Sequence, residues 1–434
     1  MVDRTVKSRR PDQDLARPYK RVDGHAQPVS VRSRRALDWF VFFVADIQTG
    51  FGPFVAVFLT TQKWTQVDIG LVLTISGVVS LVGQIPLGAF VDSVKSVRLV
   101  AALALVAIGV SAFAFAAWPV FPIVFASRVL HAAASCVLGF ALVSLSLGLV
   151  GQGGVSERLG RNAAFASAGT GIAAAVMGAC GEYLSDRAVF FLAAGLVVPA
   201  IFALSRIRSH EIRITRPASH EEASTLRDLA AGLLGLARNR PLIVFAACVA
   251  LFHLANAAML PLAASMLTLR SGQAATIMVA AAMIVPQLTV TIFSPWVGRA
   301  AQRWGRRPFL VLGFVALVVR GFLFAATGQP HLLVLIQILD GVSAAVLGVL
   351  VPLTVADVTR GSGHFNLAQG MVGCAMGVGA SISTVLSGYI ADNYGSYAAF
   401  TTLAIIAGAG LIAVASVMPE TRPRPVEGVV SRSS

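Results

Sequence analysis

Twelve apolar runs constrain this chain more than any single residue does. They cover roughly 37–61, 67–91, 98–117, 120–150, 163–184, 187–205, 241–268, 273–300, 308–327, 331–357, 366–391 and 395–418. Each is about 20 residues or longer, the length a helix needs to cross a hydrocarbon core of about 30 Å. Hydrophobic residues make up 56% of the 434, and charged residues only 12%. Soluble domains carry about 25% charged residues, so a soluble fold is excluded. The predicted fold class is an all-α membrane protein with twelve transmembrane helices.

A net charge of +14 suggests a nucleic-acid binder until the 34 Lys and Arg are sorted by position. With the amino terminus in the cytoplasm, 29 fall in cytoplasmic segments. Only Lys63, Arg187 and Arg270 fall on the opposite side, while Arg128 and Arg320 lie inside runs. This positive-inside bias places both termini in the cytoplasm and agrees with an even number of spans. It leaves no reason to invoke nucleic acid. Residues 1–36 read as a disordered basic tail able to rest on anionic lipid headgroups. The first apolar run is too long for a signal-peptide core and reads as a retained span. The chain turns polar again over 206–240, which divides it into halves 37–205 and 241–418, with 419–434 as a second tail. Within that linker, Thr225-Leu-Arg-Asp228 has the capping-box pattern and opens a leucine-rich segment, predicted as an interfacial amphipathic helix.

The halves repeat at an offset near 210. Gly298-Arg-Ala-Ala-Gln-Arg-Trp-Gly-Arg-Arg307 lies between two runs of the second half. Its worn copy in the first half is Gly88-Ala-Phe-Val-Asp92-Ser-Val-Lys95, continuing to Arg98. Val137-Leu138-Gly139 recurs as Val346-Leu347-Gly348, and the segment from Gly181 to Asp186 is echoed from Gly388 to Asp392. The common offset implies a six-plus-six duplication.

On these residues the chain resembles the major facilitator superfamily over 37–418. That family carries Gly-x-x-x-Asp-Arg-x-Gly-Arg-Arg between spans two and three, often with a weaker copy between eight and nine. Here the order of quality is reversed. The second copy keeps Gly298, Arg303, Gly305, Arg306 and Arg307 but has Gln302 where the acid belongs. The first keeps Gly88 and Asp92 and lacks the Gly-Arg-Arg end. The resemblance implies that Asp92 faces the positive amino-terminal end of span eleven, near Asn366, and that Gln302 holds span five more weakly. The glycines permit close helix approach. The arginines either pair with acids and lipid phosphate as part of a gate or only set the topology. Span five reads Val176-Met177-Gly178-Ala-Cys180-Gly181, without the proline of the Gly-Pro-x-x-Gly-Gly motif that the exchanger branches carry there.

Ionisable groups inside spans are costly, so each is a functional candidate. Asp46 lies about ten residues into span one and Arg128 about eight into span four, roughly 15 and 12 Å deep. Overlapping depths predict an Asp46–Arg128 pair, either a proton-releasing site or a permanent structural bridge. The resemblance adds that drug–proton exchangers hold an arginine in span four, and some an acid in span one. Asp340 is the repeat-related position to His131, and with Gln337 it lines the carboxyl-half wall of a cavity. His253, Asn256 and Gln287 are further candidates, though a lone intramembrane histidine is also a common packing residue. Gly50, Gly52 and Pro53 break span one near mid-membrane, as a cavity wall or as a packing kink. Arg320, in span nine, is expected to face lipid and snorkel outward. The four cysteines (Cys136, Cys180, Cys248, Cys374) read as packing residues.

The chain shows no phosphate-cradling loop, no metal-like spacing and no nucleophile with its base. It is therefore read as no enzyme, with no cofactor and no metal. The functional reading is a secondary active transporter of a small solute, proton-coupled, monomeric and resident in a bacterial inner membrane. The Asp46–Arg128 arrangement favours export by antiport. Uptake of an organic acid or other nutrient by symport is the alternative, with Arg128 as the anion's partner. A non-transporting receptor or assembly factor is the third reading.

Overall fold

A computed structural model describes residues 30–50, 54–212, 226–271 and 275–422. Long apolar helices dominate them, as bilayer-length runs require. The first half holds α1 (Val31–Gly50), α2 (Phe54–Thr61), α3 (Gln66–Ser93), α4 (Val97–Ala117), α5 (Phe121–Tyr183) and α6 (Asp186–Ser205). The linker holds α7 (Leu226–Ala237). The second half holds α8 (Arg240–Asn256), α9 (Met259–Arg270), α10 (Ala275–Trp304), α11 (Arg307–Ala326), α12 (Pro330–Val358), α13 (Phe365–Tyr394) and α14 (Ser396–Val417). Among the described residues, eleven segments are long and apolar enough to cross a membrane alone. The remaining span is α1 followed by α2, so the count reaches twelve, six in each half.

Local chemistry sets the boundaries. Thr65, Ser96, Ser185 and Asn239 accept the N–H three residues on and so cap α3, α4, α6 and α8. Gly151 adopts φ 64°, which a side chain resists, and it splits α5 into spans 121–151 and 153–183. The helix start expected at residue 37 comes earlier, so residues 31–36 belong to α1 and not to the tail. The Ser30 hydroxyl accepts the Ser33 N–H at 3.2 Å and donates to Glu211 at 3.0 Å, a cap masked in the sequence by the surrounding arginines. Of the expected break in span one, Gly50 closes α1, while Gly52 and Pro53 lie outside the described residues. Span seven is broken between α8 and α9, where the Ala258 N–H donates to Ser383 Oγ at 3.1 Å. Freed backbone groups are tolerated in a membrane only where protein re-satisfies them in this way. The Thr225 of the expected capping box lies outside the described residues, but α7 is present.

Across the halves, α3 packs on α13 and α5 packs on α10 and α12. The closest approaches concentrate at one end, near the loops around residues 93–97, 304–307 and 359–364. That end is called the basic face below. Toward the other end, a Cβ placed on Gly70, Gly77, Gly178 or Gly388 would meet nothing within 4 Å.

Candidate transport site and latches

Arg128, His131 and Ser135 recur along α5 at spacings of three and four, which puts them on one helix face. That face meets α1 and α3 around a cavity of about 340 Å³, lined also by Gln48, Ser76 and Ser80. Arg128 is 7% exposed, and its Nε donates to Ser76 Oγ at 2.9 Å. The Ser135 hydroxyl donates to Gln48 Oε1 at 3.1 Å and shares a 3.2 Å hydrogen bond with His131 Nε2. The result is a polar wall whose ionisable lining groups, among the described residues, are Arg128 and His131.

Asp46 is not part of that wall, and the expected Asp46–Arg128 ion pair is not formed among the described residues. The two groups match in depth along the membrane but not in direction around the helix. Residues two apart lie roughly 200° apart around a helix, so Gln48 faces the cavity while Asp46 faces α5. There Gly169 makes room for it: a Cβ at that glycine would lie 3.1 Å from Asp46 Oδ1. Asp46 is 4% exposed, and its Oδ1 has no hydrogen-bond partner among the described residues.

The second half resolves its charges differently. Arg320 does not snorkel into lipid; it is 1% exposed in the core. Its Nη1 donates to Asp340 Oδ1 and to Asn256 Oδ1, each at 2.6 Å, so one guanidinium ties α11 to α12 and α8. A buried pair offsets a desolvation penalty that an outward-reaching arginine would avoid only by leaving the bundle. Asp340 and Asn256 therefore meet as part of one cluster. Gln337 is fully buried, with neither amide atom hydrogen-bonded among the described residues, and nothing in the structure explains it. His253 Nδ1 bonds the carbonyl of Val249 in its own helix at 3.0 Å. Gln287 sits at the seam of α10 and α5, its Cβ 3.8 Å from where a Cβ on Gly171 would lie.

At the basic face the two hairpins do different work. Asp92 reaches across the halves to the start of α13. Its Oδ1 accepts the Asn366 N–H at 3.1 Å and the Asn366 side-chain amide at 2.7 Å, and its Oδ2 accepts the Leu367 N–H at 2.9 Å. A carboxylate on unpaired N–H groups at a helix start is favourable by charge and by dipole. The Asn366 amide also donates to Ser144 Oγ at 2.8 Å, adding α5 to the junction.

The Gly298–Arg307 hairpin instead braces its own half. Arg306, 1% exposed, donates from Nε to Asp357 Oδ2 at 2.9 Å and from Nη1 to the Ala301 carbonyl at 2.8 Å. Glu420 accepts the N–H groups of Arg306 and Arg307 at 2.8 and 3.1 Å. Arg307 reaches the Ala415 carbonyl, and the Arg303 carbonyl accepts from Arg422. Gly305 turns the chain at φ 98°. Among the described residues Gln302 hydrogen-bonds Arg306, at 3.4 Å, and no bond from it to span five is formed. Span five is held by backbone contact: a Cβ on Gly298 would lie 2.5 Å from the Ser156 carbonyl, and one on Gly160 would lie 2.5 Å from the Ser294 carbonyl. Ser156 Oγ donates to the Gly298 carbonyl across the same seam. The other seam repeats the device, with Gly88 against the Asn366 carbonyl and Gly370 against the Gln84 carbonyl.

Sequence reasoning missed Gly160 and Gly370, although they share the 210-residue offset of Gly88 and Gly298. It also missed Asp38, which accepts from Arg158 Nη2 at 2.6 Å and from Arg161 Nη2 at 2.7 Å. Charge sorting places both arginines in a loop, yet they sit three apart on a helix face.

A family model described as the Major Facilitator Superfamily matches residues 39–286 and 254–432. An uncharacterized MFS-type transporter of Mycobacterium tuberculosis is 35% identical over 420 residues, covering 94% of this chain and 100% of that protein. The tetracycline resistance protein, class B, of Escherichia coli is 29% identical over 105 residues, 24% of this chain and 26% of that one. Among solved structures, the E. coli fucose:proton symporter shares the fold with a TM-score of 0.67 at 15% identity, covering 88% of this chain and 97% of that one.

Proposed function

The chain belongs to the Major Facilitator Superfamily of membrane transporters, and we propose that it exports a small solute in exchange for protons by alternating access. As a member of that family it is not an enzyme. The observation that carries proton coupling is Asp46, a carboxyl buried at mid-span with one oxygen lacking any hydrogen-bond partner among the described residues. Such a group is expensive in a membrane and is retained for a purpose. Its place between α1 and α5 suits a group whose proton is exchanged as the halves rock.

The excess of Lys and Arg on the basic face supports placing that face, and both termini, in the cytoplasm. The latches there are closed, which supports reading this as the outward-facing state of the cycle. The partial likeness to a protein named for tetracycline resistance favours export.

Proteoliposomes test the reading, using a solute found by thermal-shift screening. In Asp46→Asn, pH-gradient-driven accumulation should be lost while gradient-free exchange of labelled for unlabelled solute persists. Gradient-driven accumulation that survives the change excludes Asp46 as the proton carrier. Direction is read from the sign of solute accumulation in a deletion strain against its parent.

A further inference from the structure

We infer that the linker helix α7 is a working part of the basic-face latch. Seated through Gly232 on the loop between α12 and α13, it holds Asn366 and Leu367 where Asp92 grips them. The inference goes beyond the transport reading and depends on no particular solute, coupling ion or direction. A helix resting only on lipid would leave its leucines without protein partners. In α7, Leu236 follows Leu233 by three residues and Gly232 by four, so the three share one helix face. Leu236 is buried in a core built chiefly from the second half, and Leu233 packs against that core. Leu234, on another side, is 55% exposed. The helix touches α8 and α13.

The linker clamps that loop at both ends. At the α12 end, Asn239 donates its side-chain amide to the Val358 carbonyl at 3.5 Å while its Oδ1 caps α8. At the α13 end, a Cβ built on Gly232 would lie 3.0 Å from His364 Cδ2 and Nε2, and 3.2 Å from Leu367 Cδ2. Leu367 is the residue whose N–H donates to Asp92 Oδ2. The His364 ring is tied down in turn, its Nδ1 sharing a 2.8 Å hydrogen bond with the Ser362 carbonyl. Between these anchors the chain turns through left-handed backbone at Gly361, φ 76°, and Gly363, φ 72°. Such glycines have much conformational freedom to lose and no side chains to pack. A loop already held in its gripping shape loses less entropy when Asp92 closes on it.

Two glycines of α7 separate its seating from its strength as a helix. Alanine raises helix propensity equally at 232 and at 235. Only at 232 does the new methyl meet the His364 ring; at 235 it meets nothing within 4 Å. The readout is the spin-label distance between the basic-face ends of α3 and α13, in the full chain in nanodiscs. Gly232→Ala should raise the open population about fivefold or more, whereas Gly235→Ala should leave it unchanged. His364→Ala empties the seat from the loop side and should also favour the open face. With the ring gone, adding Gly232→Ala should shift the population less than it does alone.

Equal behaviour of the two glycine variants overturns the inference. So does a Gly232→Ala shift that is undiminished in the His364→Ala background. Should Gly232→Ala fail to fold, His364→Ala decides alone: a closed population as large as the parent's overturns the inference. Because the measurement needs neither solute nor gradient, it stands apart from the Asp46→Asn coupling test. Either can fail alone.

Discussion

The two halves are built on one repeat and use their charges in opposite ways. Near mid-span, Asp46 corresponds to Asn256 at an offset of 210, and His131 to Asp340 at 209. In the second half Arg320 arrives from α11 and closes the group, so that Asp340, Asn256 and the guanidinium bind each other. In the first half the arginine comes from the same helix as His131 and faces a cavity. The basic face shows the same division. Asp92 of the first half grips the other half, whereas Arg306, Asp357 and Glu420 bind their own. Asp92 of the first half thus reaches its partner, whereas the clusters of the second half hold their own helices, as Asp38 does with Arg158 and Arg161 in the first. A duplicated fold can keep one backbone and vary where its charges bind, because each bundle needs only its own packing to hold its shape.

The largest asymmetry should appear in stability. Removing one member of a buried ion pair strands the other and costs about 3–5 kcal/mol. Arg320→Ala should therefore destabilise the protein by about that much, measured by thermal unfolding in nanodiscs. Arg128→Ala should cost less, because Ser76, which accepts from its Nε, is a neutral hydroxyl. Replacing Arg320 and Asp340 together by leucine should recover most of the stability, since an apolar pair carries no stranded charge. Equal costs for the two arginine variants would break the distinction between the closed cluster of the second half and the cavity-facing arginine of the first.

How far these differences could be read beforehand depends on which coordinate the sequence supplies. Run length placed the spans well, because bilayer thickness and helix rise convert residues directly into depth. Depth alone then paired Asp46 with Arg128, and the azimuth of Asp46 around α1 defeated that pairing. Arg320 was misread for a related reason. Its partners stand 20 and 64 positions away, and only helix packing brings them within 2.6 Å. Asp92 was legible because the family motif names both the acid and the helix it faces. Asp357, the last residue of its apolar run, and Glu420, beyond the last run, had no motif to mark them. Gly160 and Gly370 were visible in principle, since they obey the repeat offset, but a glycine in an apolar run carries no signal until its neighbour is known.

The next asymmetry lies in the latches. Asp92 accepts three N–H donors across the halves, and hydrogen bonds to a charged group contribute about 1.5–3 kcal/mol. Asp92→Asn removes the charge and leaves a poorer acceptor, which should weaken closure of the basic face by about 2 kcal/mol, roughly a thirtyfold shift in population. Gln302→Ala removes a single 3.4 Å hydrogen bond within its own loop and should shift closure by less than about 0.5 kcal/mol. Spin-label distances between the basic-face ends of α3 and α13 measure both. Equal shifts would mean that the two hairpins are topological signals and not latches.

The smallest asymmetry is expected at the seams, where the repeat is kept. Gly88 and Gly298 each bring a helix backbone against a carbonyl of the other half, that of Asn366 and that of Ser156. A methyl group has no flexible side chain to displace in either place, so relief must come from separating the helices. Overpacking of this kind costs about 1–3 kcal/mol. Gly88→Ala and Gly298→Ala should therefore open the basic face by similar amounts, in the same spin-label measurement that separates Asp92 from Gln302. Each half should keep its own unfolding temperature, because the added methyl pushes on the seam and leaves the packing inside each bundle intact. A gap of more than about 1 kcal/mol between the two glycine variants would show that the seams are as unequal as the latches, and that the division between the halves extends to the backbone itself.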